Sequence, residues 1–118
     1  MSNVVEMKRA NQINFDYNDK HYCLEYTPDA IKQMENAGFV LSEIGEKPAT
    51  RIEQLWAGAF LANHRKVSSS VIKELYGKMK NKEELLKKLT EMYNSALSYL
   101  MPDESEDDEG NVDWTANS

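Results

Sequence analysis

At 118 residues, 41% hydrophobic and 29% charged, the chain holds enough apolar side chains for one modest core, which is too little for a large multidomain enzyme. Its formal net charge is −6, and its single cysteine excludes an internal disulfide and points to a reducing compartment. No apolar run approaches the ~20 residues that span a bilayer, and Met1-Ser2-Asn3-Val4-Val5-Glu6 lacks the basic-then-apolar pattern of a signal peptide, so a soluble cytoplasmic protein without membrane contact is expected.

In chain order, residues 13–26 predict a β-hairpin. Ile13, Phe15 and Tyr17 alternate with Asn14 and Asp16, and Tyr22, Leu24 and Tyr26 alternate with Cys23 and Glu25, the period-two pattern of strands with one buried face. Asn18-Asp19 between them tolerates the positive φ of a tight turn. Val4, Val5 and Met7 suggest a further short strand. A lone hairpin is marginal in water, so its aromatic face needs a partner surface.

Thr27-Pro28-Asp29 reads as a helix start: threonine caps free amides, proline suits the first helical position, and aspartate complements the positive end of the dipole. A helix over about 28–37 follows, with Ile31, Met34 and Ala37 on one side and Gly38 as a left-handed terminator. A second helix is predicted over about 48–63, where Ile52, Leu55, Trp56, Ala59 and Phe60 recur at helical spacing. Gly58 inside it costs ~1 kcal/mol against alanine, which suggests close approach of another element. Ser68, Ser69 and Ser70 offer caps for a helix over about 70–79 carrying Val71, Ile72, Leu75, Tyr76 and Met79. Asn81 is placed to cap a fourth helix over about 82–101, whose stripe runs from Leu85 through Leu89, Met92, Tyr93 and Leu97 to Leu100. Pro102 ends it.

The fold class predicted is therefore α+β: a single domain over residues 1–101, with an N-terminal hairpin or small antiparallel sheet packed on about four helices, and an acidic flexible tail over 102–118. The tail holds seven acidic residues and no Lys or Arg, a local −7, whereas residues 1–101 hold 14 basic and 13 acidic residues. Such a segment buries too little surface to offset its ordering entropy, and disorder is expected. Residues 64–88 carry a local +5, so the tail has a surface of opposite sign to fold back on, through exposed contacts of ~0–1 kcal/mol each. Val112 and Trp114 interrupt the polarity of the tail. They either tack back onto the domain or anchor a partner, as buried aromatics do at interfaces.

Enzyme chemistry finds little support. His21 and His64 fall on different elements, and Cys23 near His21 lacks the flanking groups that would orient a nucleophilic pair. Four Cys/His-type ligands for structural zinc are missing, and the five glycines are too scattered for a phosphate loop. With Gly110 in the glycine place of a calcium loop, the position that needs a bidentate glutamate falls on Ala116. The lysines of 64–88 are interspersed with glutamates, as on a solvated helix face, so nucleic acid is not the expected partner. No catalytic residue, metal or cofactor is expected.

Several stretches carry a family resemblance. The hairpin ends in Tyr22-Cys23-Leu24-Glu25-Tyr26-Thr27-Pro28-Asp29. Met34-Glu35-Asn36-Ala37-Gly38-Phe39 follows, then Leu55-Trp56-Ala57-Gly58-Ala59-Phe60-Leu61 with His64, and the acidic tail ends Gly110-Asn111-Val112-Asp113-Trp114. Over roughly residues 22–114 this order resembles the small tail assembly chaperones of long, non-contractile-tailed bacteriophages of the siphovirus type, particularly those of Gram-positive hosts. The resemblance implies a non-enzymatic role in viral morphogenesis: binding the tape-measure protein, keeping it soluble in the host cell cytoplasm, helping to recruit tail-tube subunits, and leaving before the mature virion forms. Many such proteins are made in two lengths by a translational frameshift, in which case this chain is the shorter product. The residues expected to line or support the partner surface are Leu55, Trp56, Phe60, Met92, Tyr93 and Leu97, with Val112 and Trp114 in the tail. An exposed stripe would also favour a homo-oligomer. The alternative is a small structural tail or connector subunit of the virion, its hairpin adding to a neighbour's sheet.

Overall fold

The computed structural model describes residues 11–98 and Leu100. Strand β1 (Ile13–Tyr17) pairs antiparallel with β2 (Lys20–Leu24), placing Ile13 opposite Leu24, Phe15 opposite Tyr22 and Tyr17 opposite Lys20. Asn18 and Asp19 have φ of 52° and 63°. Two consecutive positive values define the type I′ turn whose twist matches that of the strands. Tyr22 and Leu24 are buried, and Ile13, Phe15 and Tyr17 pack beside them, so the alternating aromatic face lies on the helices.

Four helices follow: α1 (Pro28–Asn36), α2 (Pro48–Gly58), α3 (Ser69–Lys78) and α4 (Lys82–Leu97), with a short 3-10 turn at Leu41–Glu43. The fold is α+β, a two-stranded antiparallel sheet ahead of four helices. Helix α1 begins as its sequence dictates, with the Thr27 hydroxyl accepting from the Ala30 amide at 3.1 Å. It ends in a Schellman motif. Gly38 takes φ 97°, its amide bonds the Glu35 carbonyl, and the Phe39 amide bonds the Met34 carbonyl at 2.9 Å. That reversal returns Phe39 to the core. Arg51 of α2 then holds the 3-10 turn, donating to Glu43 at 3.0 and 2.6 Å and to Gln54 at 2.8 Å.

Two expected helix ends and one expected cap differ. Helix α2 stops at Gly58 instead of near residue 63. Residues 59–64 leave the helix because the free edge of β2 needs partners. In this register the backbone groups of Cys23 point away from β1, and Cys23 N–H donates to His64 Nε2 at 3.0 Å while Asn63 Nδ2 donates to the Cys23 carbonyl at 3.1 Å. Glu25 N–H donates to the Ala59 carbonyl at 3.1 Å in the same way. Asn81 does not cap α4 with its side chain: it sits in the left-handed region at φ 52°, and its carbonyl accepts from Leu85. The link between α3 and α4 uses the backbone freedom of asparagine in place of its side chain. Helix α4 closes at Leu97 instead of about 101, with the Ser98 hydroxyl donating to the Ser95 carbonyl at 2.7 Å. The strand expected from Val4, Val5 and Met7, and the tail over 102–118, lie outside the described residues.

The core joins hairpin and helices through two groups of rings. Phe15 stacks on Tyr22 at 5.1 Å, and Tyr22 and Trp56 both meet Phe60, at 6.1 and 5.3 Å. Tyr26 and Phe39 each meet Tyr93 of α4 edge-on at 5.4 Å. Leu24, Ile31, Leu55, Leu75, Leu89 and Met92 fill the space between. Full burial of each such side chain contributes ~1.5–3 kcal/mol. Helices α1 and α2 approach so closely that a Cβ on Gly58 would collide with the Met34 side chain, which accounts for glycine in mid-stripe.

Candidate partner-binding groove

The residues expected to face or support a partner occupy two different settings. Leu55, Trp56, Phe60, Met92 and Tyr93 are buried, and Leu97 is half-buried. In this conformation they support a surface more than they form one. Val112 and Trp114 lie outside the described residues.

Accessible apolar surface gathers instead between α2 and α3, in a groove of about 650 Å³. Its walls are two helical i, i+4 pairs, Ile52 with Trp56 on α2 and Ile72 with Tyr76 on α3, with Ala57 beside them. Trp56 is the common member of core and groove. Its indole N–H donates to the Ile72 carbonyl at 2.8 Å, and its ring lies 5.5 Å from Tyr76. Lys73 Nζ lies 3.4 Å from Glu53 Oε2 across the groove, with both side chains more than half exposed, so the pair adds only ~0–1 kcal/mol. Lys82 places its ammonium 5.3 Å from the centre of the Tyr76 ring. A smaller hollow of about 280 Å³ lies between α1 and α2, beside Met34, Phe39 and Leu61.

Helical spacing puts Ile52, Ile72 and Tyr76 on apolar faces without assigning them to a site. Their signal was spacing: each face is wider than one neighbouring element covers.

Both histidines and Tyr26 are engaged in structural contacts. His21 lies on the exposed hairpin face, bonding Asp16 at 2.7 Å and Asn14 at 3.2 Å. His64 packs against Tyr22, with ring centres 5.2 Å apart. Burial, and then the charge of Lys20, push its pKa below the usual imidazole value. Tyr26 is buried and donates its hydroxyl to the Leu55 carbonyl at 2.6 Å. Burial, and then Tyr93, push its pKa well above the ordinary phenol value. Among the described residues no cluster of His, Cys, Asp or Glu is arranged to hold a metal ion, and no helix is long and apolar enough to cross a membrane.

Fold and groove together define a small α+β domain with an accessible apolar cleft between two of its helices. The chain belongs to the DUF5055 family, described as a domain of unknown function, whose family model matches residues 7–118. No curated protein and no solved structure matches it.

Proposed function

We propose that this protein is a tail assembly chaperone of a long, non-contractile-tailed phage. In this role it binds the tape-measure protein in the host cytoplasm, keeps it soluble, helps recruit tail-tube subunits, and leaves before the virion is complete. The observation that carries the reading is the apolar groove between α2 and α3. A client rich in amphipathic helix presents apolar side chains at i, i+3, i+4 and i+7, and a cleft walled by Ile52, Trp56, Ile72 and Tyr76 is the complementary shape. A cleft of this size engages a short length of helix, in keeping with a transient contact smaller than the ~1,200–2,000 Å² of stable complexes. The seven acidic residues of 102–118 would keep a chaperone–client complex solvated and apart from its neighbours. No cofactor or catalysis is needed.

Co-expression with the tape-measure protein of the same phage tests this. The client should be soluble with the native chain and largely insoluble with Ile52→Asp, a half-exposed groove position whose variant is first checked for a native circular dichroism spectrum. A client that is equally soluble without this protein would overturn the reading.

One observation favours a structural virion subunit instead. The outer edge of β2 is closed by residues 59–64, whereas among the described residues no strand pairs with the outer edge of β1, the side on which a neighbour's strand would add. Mass spectrometry of purified particles separates the two: a chaperone is absent, and a subunit is present in many copies.

A further inference from the structure

We propose that the groove between α2 and α3 is the docking site for this chain's own segment Asn111-Val112-Asp113-Trp114, which caps it in the absence of a partner. The claim concerns the protein alone and holds whatever the client is.

Chemistry selects the segment. Beyond Pro102 the only large apolar side chains are Val112 and Trp114. In extended chain, residues two apart share a face, so docking in that form would put both side chains in the cleft and leave Asp113 in water. The cleft is apolar and, at about 650 Å³, roomy enough for an indole and an isopropyl group against Ile52, Ile72 and Tyr76.

Chain length permits the contact when the tail is extended. Trp114 lies 17 residues beyond Leu97, a reach of roughly 56 Å when extended. Helix α4, the link 79–81 and α3 laid end to end measure about 50 Å, which bounds the separation of Leu97 from Ser69 on the α3 wall of the groove.

Charge favours the same path. Six carboxylates between Pro102 and Gly110 precede the segment, and residues 64–88, which include α3, carry a local +5. Lys73 stands on the lip of the groove, its partner Glu53 exposed and exchangeable, and Lys82 stands over Tyr76. The family match runs through residue 118, so the Val112/Trp114 segment lies within the family's shared region. A covalent tether supplies an effective concentration near the millimolar range, so a weak contact suffices and a client can displace it.

The test uses the full-length ¹⁵N-labelled chain and its Trp114→Ala and Val112→Ser/Trp114→Ser variants. Both variants should shift the amide resonances of Ile52, Ala57, Ile72 and Tyr76 and leave those of the hairpin at Lys20 and His21 in place. High salt should move the native resonances toward those of the variants. Superimposable spectra at the four groove positions would overturn the proposal. So would groove shifts that disappear on dilution, since they would place the segment in a second copy's groove.

Discussion

The indole N–H of Trp56 donates to the main-chain carbonyl of Ile72 at 2.8 Å, fastening α2 to the first turn of α3. The bond fixes the floor of the groove and the seam of the core at once, because the same ring lies 5.3 Å from Phe60 and 5.5 Å from Tyr76. Trp56→Phe should therefore lower stability by about 1–3 kcal/mol, through the lost hydrogen bond and the space the smaller ring leaves. Ile52→Ala, on the accessible wall, should cost about 1 kcal/mol or less. Urea denaturation of the two variants gives the comparison, and equal losses would mean that Trp56 is not the fastening residue.

Gly58 makes a sharper prediction. Alanine is the better helix former, by about 1 kcal/mol in a helix interior and by less at the last residue of α2, so propensity alone favours Gly58→Ala. Yet the new Cβ would lie 2.6 Å from Cε and 2.8 Å from Cγ of Met34, so this buried side chain would have to shift. Overpacking should win, with a net loss of about 1–2 kcal/mol. In a Met34→Ala background the obstruction is gone, and the same substitution should add up to about 1 kcal/mol of stability. A double-mutant cycle reads this change of sign; the same loss in both backgrounds would locate the cause elsewhere.

These two residues also mark how far the sequence reaches. Period-two aromatics and Asn18-Asp19 disclosed the hairpin, and Thr27-Pro28 and Gly38 disclosed both ends of α1, because each is a local rule that local residues satisfy. The end of α2 was hidden. Ala59 and Phe60 continue its apolar spacing and are buried as a helix would bury them, yet residues 59–64 break away to satisfy the edge of β2, some forty residues earlier in the chain. No helical period encodes that demand. The groove was half visible for a related reason: spacing identifies which side chains share a face, but not which part of the face neighbours leave uncovered. Leu55, Phe60, Met92 and Tyr93 are covered, whereas Ile52, Ile72 and Tyr76 line the opening.

Tyr26 should make the protein sensitive to alkali. Its hydroxyl is buried and donates to the Leu55 carbonyl at 2.6 Å, and burial, and then Tyr93, raise its pKa well above 10.0. A phenol with a raised folded-state pKa stabilises the fold fully below the unfolded value and loses that contribution as pH climbs past it. Tyr26→Phe should cost about 1–2 kcal/mol near neutrality, where the hydrogen bond is lost. Above pH 10 its denaturation midpoint should fall less steeply than that of the native chain. Parallel curves across that range would show that the phenol does not titrate on unfolding.

His64 should act at the other end of the scale. Its Nε2 accepts from the Cys23 amide at 3.0 Å, a bond that requires this nitrogen to be unprotonated. Burial, then Lys20, and more weakly His21, depress its pKa below 6.5, and Lys20 also stands over the neighbouring Tyr22 ring. With the folded value below the unfolded one, the unfolded chain binds more protons between the two. The contribution of His64 is therefore complete above 6.5 and is lost as pH falls below it. The consequence reaches beyond one side chain, since protonation would remove one of the three bonds by which residues 59–64 hold the edge of β2. Urea midpoints should be level from about pH 8 to 7 and decline toward about pH 5, above the range where carboxylates such as Glu43, held low by its hydrogen bond to Arg51, begin to titrate. His64→Gln, which keeps an acceptor but cannot take up the proton, should flatten that decline. An unchanged slope in the variant would assign the acid sensitivity to another group.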